Sequence, residues 1–400
     1  MILNKKSLLA GALLVTGWMA FLPLPHSIPF TVRNPLKLAR SSETVSLPMV
    51  KLSLLVKEVG AENLLVKDAK TGTVLVSQLL DNNADGQVDE LLFQTDLPAL
   101  GEKKFVVEGS KDGAAKRADP KLATYSRFVP ERIDDYAWEN DRVAFRTYGP
   151  KAQQLTEAGR TDGTLTSGMD CWLKRVDYPI IDLWYKKDKD KTGSYHQDTG
   201  EGYDPYHVGG SRGCGGIGIW KNDSLYVSKN YTSYKTIAKG PIRTVFELTY
   251  ASWNAGGVMV TEKKRISLDL GSNLSRYEVE LFSSQALPNC TVGITLHDKK
   301  GTAKGDPKAG WFRYWEPMDD SELGLGLVMS PKAVMIYQDH RVEAKDQSHL
   351  LVIAKPSANR LVYYAGFGWK KSGQFDTVAD WDAYLSSYAQ RIASPLEVKW

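Results

Sequence analysis

The chain has 400 residues, of which 42% are hydrophobic, so it is long enough to bury a large core and to form two or three domains. Its 51 basic and 47 acidic side chains are interspersed and leave a net charge of +4, which excludes the strongly basic surface of a nucleic-acid-binding protein. Only Cys171, Cys214 and Cys290 occur, which excludes a disulfide framework and leaves buried thiols or a Cys171–Cys214 bridge as alternatives.

The first 25 residues have the layout of a secretory signal peptide. Lys5 and Lys6 precede an apolar run from Leu8 to Leu22 that is too short to be a typical membrane span. We therefore expect a periplasmic or secreted protein whose mature chain has no membrane span. Because no A-x-A cleavage site follows the run, an uncleaved anchor is the alternative.

Residues 45–112 are predicted to form a small N-terminal β-domain. The runs "VKLSLLVKE", "LLVKD", "TVLVSQLL" and "KKFVVEG" alternate apolar and polar residues between Gly, Asp or Asn, which is typical of strands. The polar stretch Gly109–Lys121 that follows is predicted to be a linker.

A loop in this domain has the spacing of a calcium site. Oxygen-bearing side chains alternate before and after Gly86, as a hard cation requires, although Leu92 stands where an EF-hand has Glu. The pattern predicts a structural Ca²⁺, and an ordinary Asx-rich turn is the alternative. The predicted ligands are Asp81, Asn83, Asp85, Gln87 and Asp89.

Residues 122–400 are predicted to form a large antiparallel β-domain. In "PIRTVFELTY", Thr244, Phe246, Leu248 and Tyr250 share one face of a strand, and later segments repeat this alternation. One helix is predicted near the end, with apolar residues three and four apart from Val378 to Ile392 and a capping box at Thr377. The sequence therefore predicts an all-β fold with a C-terminal helix.

The segment "YHQDTGEGYDPYHVGGSRGCGG" (residues 195–216) holds the strongest candidates for chemistry. Histidine and tyrosine can move protons near neutral pH, and an arginine can bind a carboxylate through its planar fork. Residues 209–213 ("GGSRG") match G-x-S-x-G formally, but a polar loop precedes them and a predicted hairpin follows, so they lack the strand and helix of a nucleophile elbow. No H-E-x-x-H motif occurs, and serine hydrolase and zinc protease chemistry lose support. A metal site at His196, Asp204 and His207 stays open as an alternative.

Two further segments suggest contacts with a substrate. "SGMDCWLKRVDYPIIDLWY" supplies Trp172 and Lys174, and "GWFRYWEP" supplies Trp311 and Trp315 as platforms on which sugars stack. A satellite hydrophobic cluster is the alternative for the second segment. The charged stretch "ERIDDYAWENDRVAFRTYGP" is read either as part of a site or as an ion-pair corner.

Together these motifs resemble a family of secreted bacterial proteins long listed as a domain of unknown function. Members occur in polysaccharide-utilisation clusters, and one relative is understood to be a dehydratase of uronic acids at the non-reducing ends of ulvan oligosaccharides. The resemblance spans residues 45–400 and implies a galactose-mutarotase-like β-supersandwich. It also implies an enzyme that needs no cofactor for catalysis and acts on an acidic oligosaccharide.

Dehydration of a terminal uronic acid removes the C5 proton and expels the C4 hydroxyl as water. A cation must neutralise the carboxylate, a base must take the proton and an acid must protonate the leaving group. We predict Arg212 as the cation, with Lys174 or Arg243 assisting. His207 and Tyr206 are predicted as base and acid in either order, with His196 in reserve.

Four alternatives remain open at this point. A polysaccharide lyase performs the same elimination with a sugar as leaving group, and a mutarotase-like epimerase needs an acid and a base without a leaving group. A glycoside hydrolase needs paired carboxylates, for which Asp198, Glu201 and Asp204 are available. A non-catalytic protein would use the aromatic side chains only to bind sugar.

Overall fold

A computed structural model describes residues 27–110 and 117–400, so the predicted signal peptide and the centre of the predicted linker lie outside the described residues. The N-terminal part has a four-stranded and a three-stranded sheet around one hydrophobic core. Its elements are β1 (Ser27–Arg33), β2 (Arg40–Pro48), α1 (Ser53–Val59), β3 (Leu64–Asp68), β4 (Ser77–Leu80), β5 (Glu90–Leu97) and β6 (Glu102–Gly109).

The next part of the chain forms a five-stranded antiparallel sheet in the order β11-β10-β9-β8-β7. Two helices interrupt it, and the second packs on one face of the sheet with Trp184 and Tyr185 buried. The elements are β7 (Tyr125–Val129), β8 (Asp135–Glu139), β9 (Ala144–Thr147), α2 (Pro150–Glu157), β10 (Asp170–Lys174), α3 (Ile181–Lys189) and β11 (Gly202–Tyr203).

The remaining chain builds a second five-stranded sheet and a nine-stranded sheet. The elements are β12 (Cys214–Lys221), β13 (Ser224–Tyr226), β14 (Tyr231–Lys239), β15 (Arg243–Tyr250), β16 (Trp253–Asn254), β17 (Met259–Asp269), β18 (Leu274–Ser283), β19 (Cys290–Thr295), β20 (Thr302–Asp306), β21 (Trp311–Met318), β22 (Ser321–Met329), β23 (Val334–His340), β24 (His349–Ala354), β25 (Arg360–Trp369), α4 (Val378–Ala393) and β26 (Glu397–Lys399).

The prediction of a mostly antiparallel β protein is confirmed. The largest core joins side chains of the nine-stranded sheet to those of both five-stranded sheets, such as Leu248, Phe145 and Val352. Helix α4 begins at the predicted capping box and packs Trp381 and Leu385 against the nine-stranded sheet. The predicted strand face of β15 is also confirmed, since Thr244, Phe246, Leu248 and Tyr250 are all buried.

Strand β15 also shows how the N-terminal part is attached. Val245 lies on the other face of the strand, where alternation allows side chains to be exposed to solvent. It is nevertheless buried against Leu80 and Leu92 of the N-terminal part. The Gln78 side chain accepts hydrogen bonds from the Ile242 and Arg243 amides, both at 2.8 Å. The second face of this strand is therefore a contact between the two parts of the chain.

The N-terminal part differs from the prediction in two respects. The run "VKLSLLVKE" is helical, because Leu52 and Leu55 point to the core at a three-residue spacing that one helix face provides. The sheet also begins at Ser27 rather than near residue 45. It is completed by β26, which pairs with β1.

The contact of α4 with the nine-stranded sheet gives a test of stability. We expect Trp381→Ala to lower the free energy of unfolding by about 3–5 kcal/mol, because the side chain is fully buried and its removal leaves a cavity. Urea denaturation measures the change. Gln390→Ala, at an exposed position of the same helix, should stay within about 0.5 kcal/mol of wild type. Equal stabilities of both variants would contradict the packing described.

Candidate functional site

One face of the sheet β7–β11 carries polar side chains in an otherwise apolar layer. Because side chains alternate along a strand, Asp135 of β8, Arg146 of β9 and Asp170 of β10 point to the same side as Trp172. The opposite face, with Tyr136 and its neighbours, belongs to the main core. The alternation along the strands thus places three of the charged side chains on the face of the sheet that α3 covers.

Arg146 is the centre of this arginine–carboxylate cluster, defined here as Arg146 with Asp135, Asp170 and Asp204. Its Nε lies 2.6 Å from Asp170 and its Nη2 lies 2.8 Å from Asp204. Its Nη1 lies 3.5 Å from Asp135. All four side chains are at most 6% exposed, so solvent does little to screen these charges.

The cluster holds more negative charge than one arginine can neutralise. Burial raises the pKa of Asp135 to about 6, and burial together with the nearby Asp170 carboxylate raises the pKa of Asp204 well above its ordinary value. One oxygen of each of the three carboxylates is buried without a hydrogen-bond partner among the described residues. Perturbed acids of this kind concentrate at functional sites.

Tyr195 is buried, at 4% exposed, between the cluster and the exposed His196. Its hydroxyl oxygen accepts hydrogen bonds from Arg132 Nε at 3.0 Å and from Arg146 Nη1 at 3.4 Å. Its ring stacks on Trp172 with centroids 5.0 Å apart. The phenol therefore lies in a fixed position between two guanidinium groups.

His196 is the exposed neighbour of Tyr195, with ring centroids 4.4 Å apart and a side chain that is 56% exposed. Its Nδ1 lies 2.8 Å from the backbone carbonyl of Asp204. A carbonyl oxygen only accepts, so Nδ1 carries a proton in this contact, and in the neutral imidazole the lone pair is then on Nε2. The neutral imidazole thus offers a basic nitrogen beside the tyrosine ring.

The backbone beside the cluster is strained. Ile133 and Asp134 have φ angles of 45° and 65°, in the left-handed region that a β-branched residue rarely adopts. A Cβ on Gly149 would lie 2.0 Å from the Asp134 carbonyl oxygen, so only glycine fits at this position. Strain held by close packing is a recurrent property of functional sites.

Arg212, the predicted cation, lies elsewhere and is 1% exposed. Its guanidinium donates to the Ser167 and Thr166 hydroxyls at 2.8 and 3.1 Å and to the Ile217 carbonyl oxygen. Burial lowers its pKa to about 10. Since its donors bind protein acceptors, Arg212 has no guanidinium face open to a substrate.

The side chains of Tyr206 and His207 are not part of the cluster, although the backbone amide of Tyr206 donates to Asp204. Tyr206 is 4% exposed, and burial raises the pKa of its hydroxyl well above the ordinary value. His207 is 57% exposed, with Nε2 3.3 Å from Asp346. Its backbone oxygen accepts from His297, whose other nitrogen lies 2.7 Å from Glu316. These contacts fix the loop, but they do not bring His207 and His196 to one metal site.

Lys174 and Trp172 lie under α3. The Lys174 ammonium donates to Glu139 and to the carbonyl oxygens of Asn140 and Tyr178 within 3.0 Å, so all three of its protons are bound by the protein. Glu139 in turn accepts from the backbone amides that begin α3. Trp172 is fully buried and supports Tyr195 rather than a sugar.

The remaining predicted substrate contacts are not at this site either. Arg243 forms a bidentate ion pair with Asp269 at 2.5 and 2.7 Å. Trp311 and Trp315 are each 7% exposed and pack in the cluster below α4, as the alternative interpretation had it. They are unsuited to stack on a sugar because the helix covers them.

The predicted calcium loop is held by Asx-type hydrogen bonds. Asp81 accepts from the amides of Ala84 and Gly86, both at 2.7 Å, and Asp89 accepts from Asn82. Within residues 27–110 and 117–400, no group of three or more His, Cys, Asp or Glu side chains is placed to hold a metal ion. The structural Ca²⁺ at Asp81, Asn83, Asp85, Gln87 and Asp89 stays a prediction.

Comparison with known proteins identifies a family and a relative that match the chain over most of its length. The model of the family described as "Domain of unknown function (DUF4861)" matches residues 32–398. The chain belongs to this family. An "Uncharacterized protein P7" of Formosa agariphila is 46% identical over 370 residues, which are 92% of each chain.

The DUF4861 chain also resembles solved structures from Enterococcus faecalis. One is a protein in glycosyl hydrolase family 38, with a TM-score of 0.50 and 10% identity, and the other is an alpha-mannosidase with a TM-score of 0.49 and 10% identity. Each match covers 93% of this chain but only 47% and 46% of the other, so the chain spans about half the length of these neighbours.

Several residues that the fold of this DUF4861 chain brings together were not among the site residues predicted from the sequence. Tyr195 and Arg132 lie in two of the segments described above, but neither was predicted as a site residue. The position of Tyr195 directly before His196 could have indicated it. Arg146 had no such signal, because its contacts with Asp170 and Asp204 depend on strand pairing. His297 follows β19 and Glu316 lies on β21 of a different sheet, so their contact depends on how these sheets pack together.

The contact between His297 and Glu316 predicts a pH dependence. Burial lowers the pKa of His297, but the carboxylate of Glu316 outweighs it and raises the pKa above 6.5. Burial raises the pKa of Glu316 above 4.5. Both groups hold their protons more tightly in the folded state, so both contributions to stability are full at low pH and are lost as pH rises through the folded pKa values.

We therefore expect the stability difference between wild type and the double variant His297→Gln, Glu316→Gln to shrink from pH 5 to pH 8. Urea denaturation at each pH measures it. His340→Gln, on the edge strand β23, controls for loss of an imidazole and should show no such trend. A difference that grows with pH would contradict the two shifts.

The calcium prediction is tested at Asp81. We expect Asp81→Ala to lower the melting temperature in EDTA as well as in calcium, since backbone amides lose their acceptor in both. For wild type, a bound ion predicts a melting temperature that rises with added Ca²⁺. An unchanged wild-type melting temperature would count against the ion.

Proposed function

We propose that the protein is a carbohydrate-active enzyme that eliminates water across C4–C5 of a terminal uronic acid in an acidic oligosaccharide. The observation that carries the proposal is the pairing of an exposed imidazole, whose Nε2 is free to accept a proton, with a phenol between two guanidinium groups. Arg132, Tyr195 and His196 form the proposed catalytic group.

The roles follow from what each side chain has available. Arg132 is only partly buried, and its planar fork suits the uronate carboxylate, whose negative charge would otherwise oppose removal of the C5 proton. His196 Nε2 takes that proton as general base. The arginine thus replaces Arg212 in the role that the sequence analysis gave to a cation.

Tyr195 protonates the C4 oxygen as the C–O bond breaks, so that water leaves. The phenolate that develops lies within 3.4 Å of nitrogens of Arg132 and Arg146, and these positive groups stabilise it during the reaction. Proton return from His196 through solvent restores the tyrosine. The unsaturated product and one water together contain all the atoms of the saturated substrate, and the enzyme returns to its starting protonation state.

The fold supports a carbohydrate as substrate. The Enterococcus faecalis protein in glycosyl hydrolase family 38 resembles this chain in fold over 93% of this chain's length. The galactose-mutarotase-like supersandwich belongs to the same proposal, as do export to the periplasm or cell exterior and a place among polysaccharide-degrading proteins. No helix in residues 27–110 or 117–400 has both the length and the apolar character to cross a bilayer.

The test uses purified protein and saturated oligosaccharides that end in a uronic acid. We expect an absorbance increase from the C4–C5 double bond and a mass loss of one water. His196→Ala and Tyr195→Phe should each lower kcat/KM by about 10²-fold or more. Arg132→Gln should raise KM as well, and added imidazole should restore part of the His196→Ala rate.

Matched controls remove the same groups elsewhere. Tyr234→Phe and His340→Ala lie on other strands and should keep wild-type turnover. Chain shortening with the chromophore would mark a lyase, shortening without it a hydrolase, and binding without change a sugar-binding protein. Wild-type rates in both His196→Ala and Tyr195→Phe would overturn the proposed site.

A further inference from the structure

A cavity of about 420 Å³ lies where three distant parts of the chain meet. Strand β2 forms one wall, the ends of β15, β17 and β18 form another, and the C-terminal end of α4 with the following residues closes it. Its volume falls in the range of about 300–1,000 Å³ that is usual for sites of small ligands, which often lie between domains. Its lining residues do not include Arg132, Tyr195 or His196.

The lining of this junction cavity is positively charged. Four arginines face two carboxylates, Glu43 and Asp269, which leaves two positive charges in excess. Arg40 and Arg243 are engaged within the protein, the first with Asn34 and the second with Asp269. The other two arginines are Arg276 and Arg391, whose side chains are 35% and 20% exposed.

Arg391 has binding capacity left. It approaches Glu43 at 3.5 Å, and the carboxylate oxygen it approaches forms no hydrogen bond in the described residues, so this is a loose ion pair. Its guanidinium lies over the ring of Tyr388 at 4.9 Å, which holds it in place without using its N–H donors. Arg276 pairs with Glu278, which it shares with Arg360.

The rest of the lining is suited to a polyhydroxylated ligand. Six hydroxyl side chains of serine and threonine line the cavity, among them Ser46, Ser267 and Ser272. Tyr364 and Tyr388 add two aromatic rings in edge-to-face contact, 5.2 Å between centroids. Hydroxyl groups, aromatic rings and guanidinium groups together match a sugar that carries negative charge.

We propose that the junction cavity is a second binding site, separate from the catalytic group, for an anionic oligosaccharide bearing carboxylate or sulfate groups. Arg276 and Arg391 bind the anionic group, and the hydroxyls and tyrosines contact the ring. The class of ligand rests on the proposed function, whereas the site rests on the cavity itself. Such a site would hold a long acidic chain on the enzyme while its end is processed.

Binding is measured on the Tyr195→Phe background, so that turnover does not consume the ligand and a failed elimination does not hide the result. The probes are tetragalacturonate, the neutral maltotetraose and sodium sulfate, each titrated by calorimetry. We expect tetragalacturonate to bind and maltotetraose to bind at least tenfold more weakly. If sulfate alone binds as tightly as the tetramer, the cavity is a simple anion site, and the proposal that it binds an oligosaccharide is overturned.

Two independent changes locate the binding. The double variant Arg276→Gln, Arg391→Gln should bind tetragalacturonate at least tenfold more weakly. The control is Arg341→Gln, because Arg341 has a similar exposure and pairs with Asp339, and this variant should bind as wild type does. Ser41→Glu places a carboxylate at an exposed position of the lining, where folding is little affected, and should also weaken binding. Wild-type affinity in both the double variant and Ser41→Glu would overturn the proposal, even for an active dehydratase.

Discussion

The candidate site depends on a single arginine that forms ion pairs with three buried carboxylates. Asp135, Asp170 and Asp204 come from different strands and loops, and in the folded protein each lies within 3.5 Å of a different nitrogen of Arg146. Removing one partner of a buried ion pair generally costs about 3–5 kcal/mol. The cluster therefore links β8, β9, β10 and the segment after β11, and Tyr195 and His196 take their positions from it.

Three cations in this protein show why residue type alone does not identify a site. Lys174 binds three acceptors below α3, and Arg212 binds hydroxyls and carbonyls inside the main core. Both of these side chains donate their hydrogen bonds to acceptors in the protein interior. Arg132 uses its Nε for Tyr195 and remains partly accessible, so it alone of the three combines a fixed position with access to a substrate.

The sequence predicted local features better than long-range ones. The capping box of α4 and the buried face of β15 follow from short-range periodicity, and the structure confirms both. Helix α1 was assigned as a strand because Leu52 and Leu55 lie in a run that also fits alternation. Arg146 could not be recognised, since its partners Asp170 and Asp204 are 24 and 58 residues away and meet it only through sheet pairing.

Strand β26 pairs with β1, so the last residues of the chain complete the sheet that the first described residues begin. Trp400 packs on Phe30 with ring centroids 5.3 Å apart. Strand β26 follows the other described strands in the chain, so the four-stranded sheet cannot be completed until those strands have been synthesised. Completion of the N-terminal unit is therefore coupled to synthesis of the rest of the described chain.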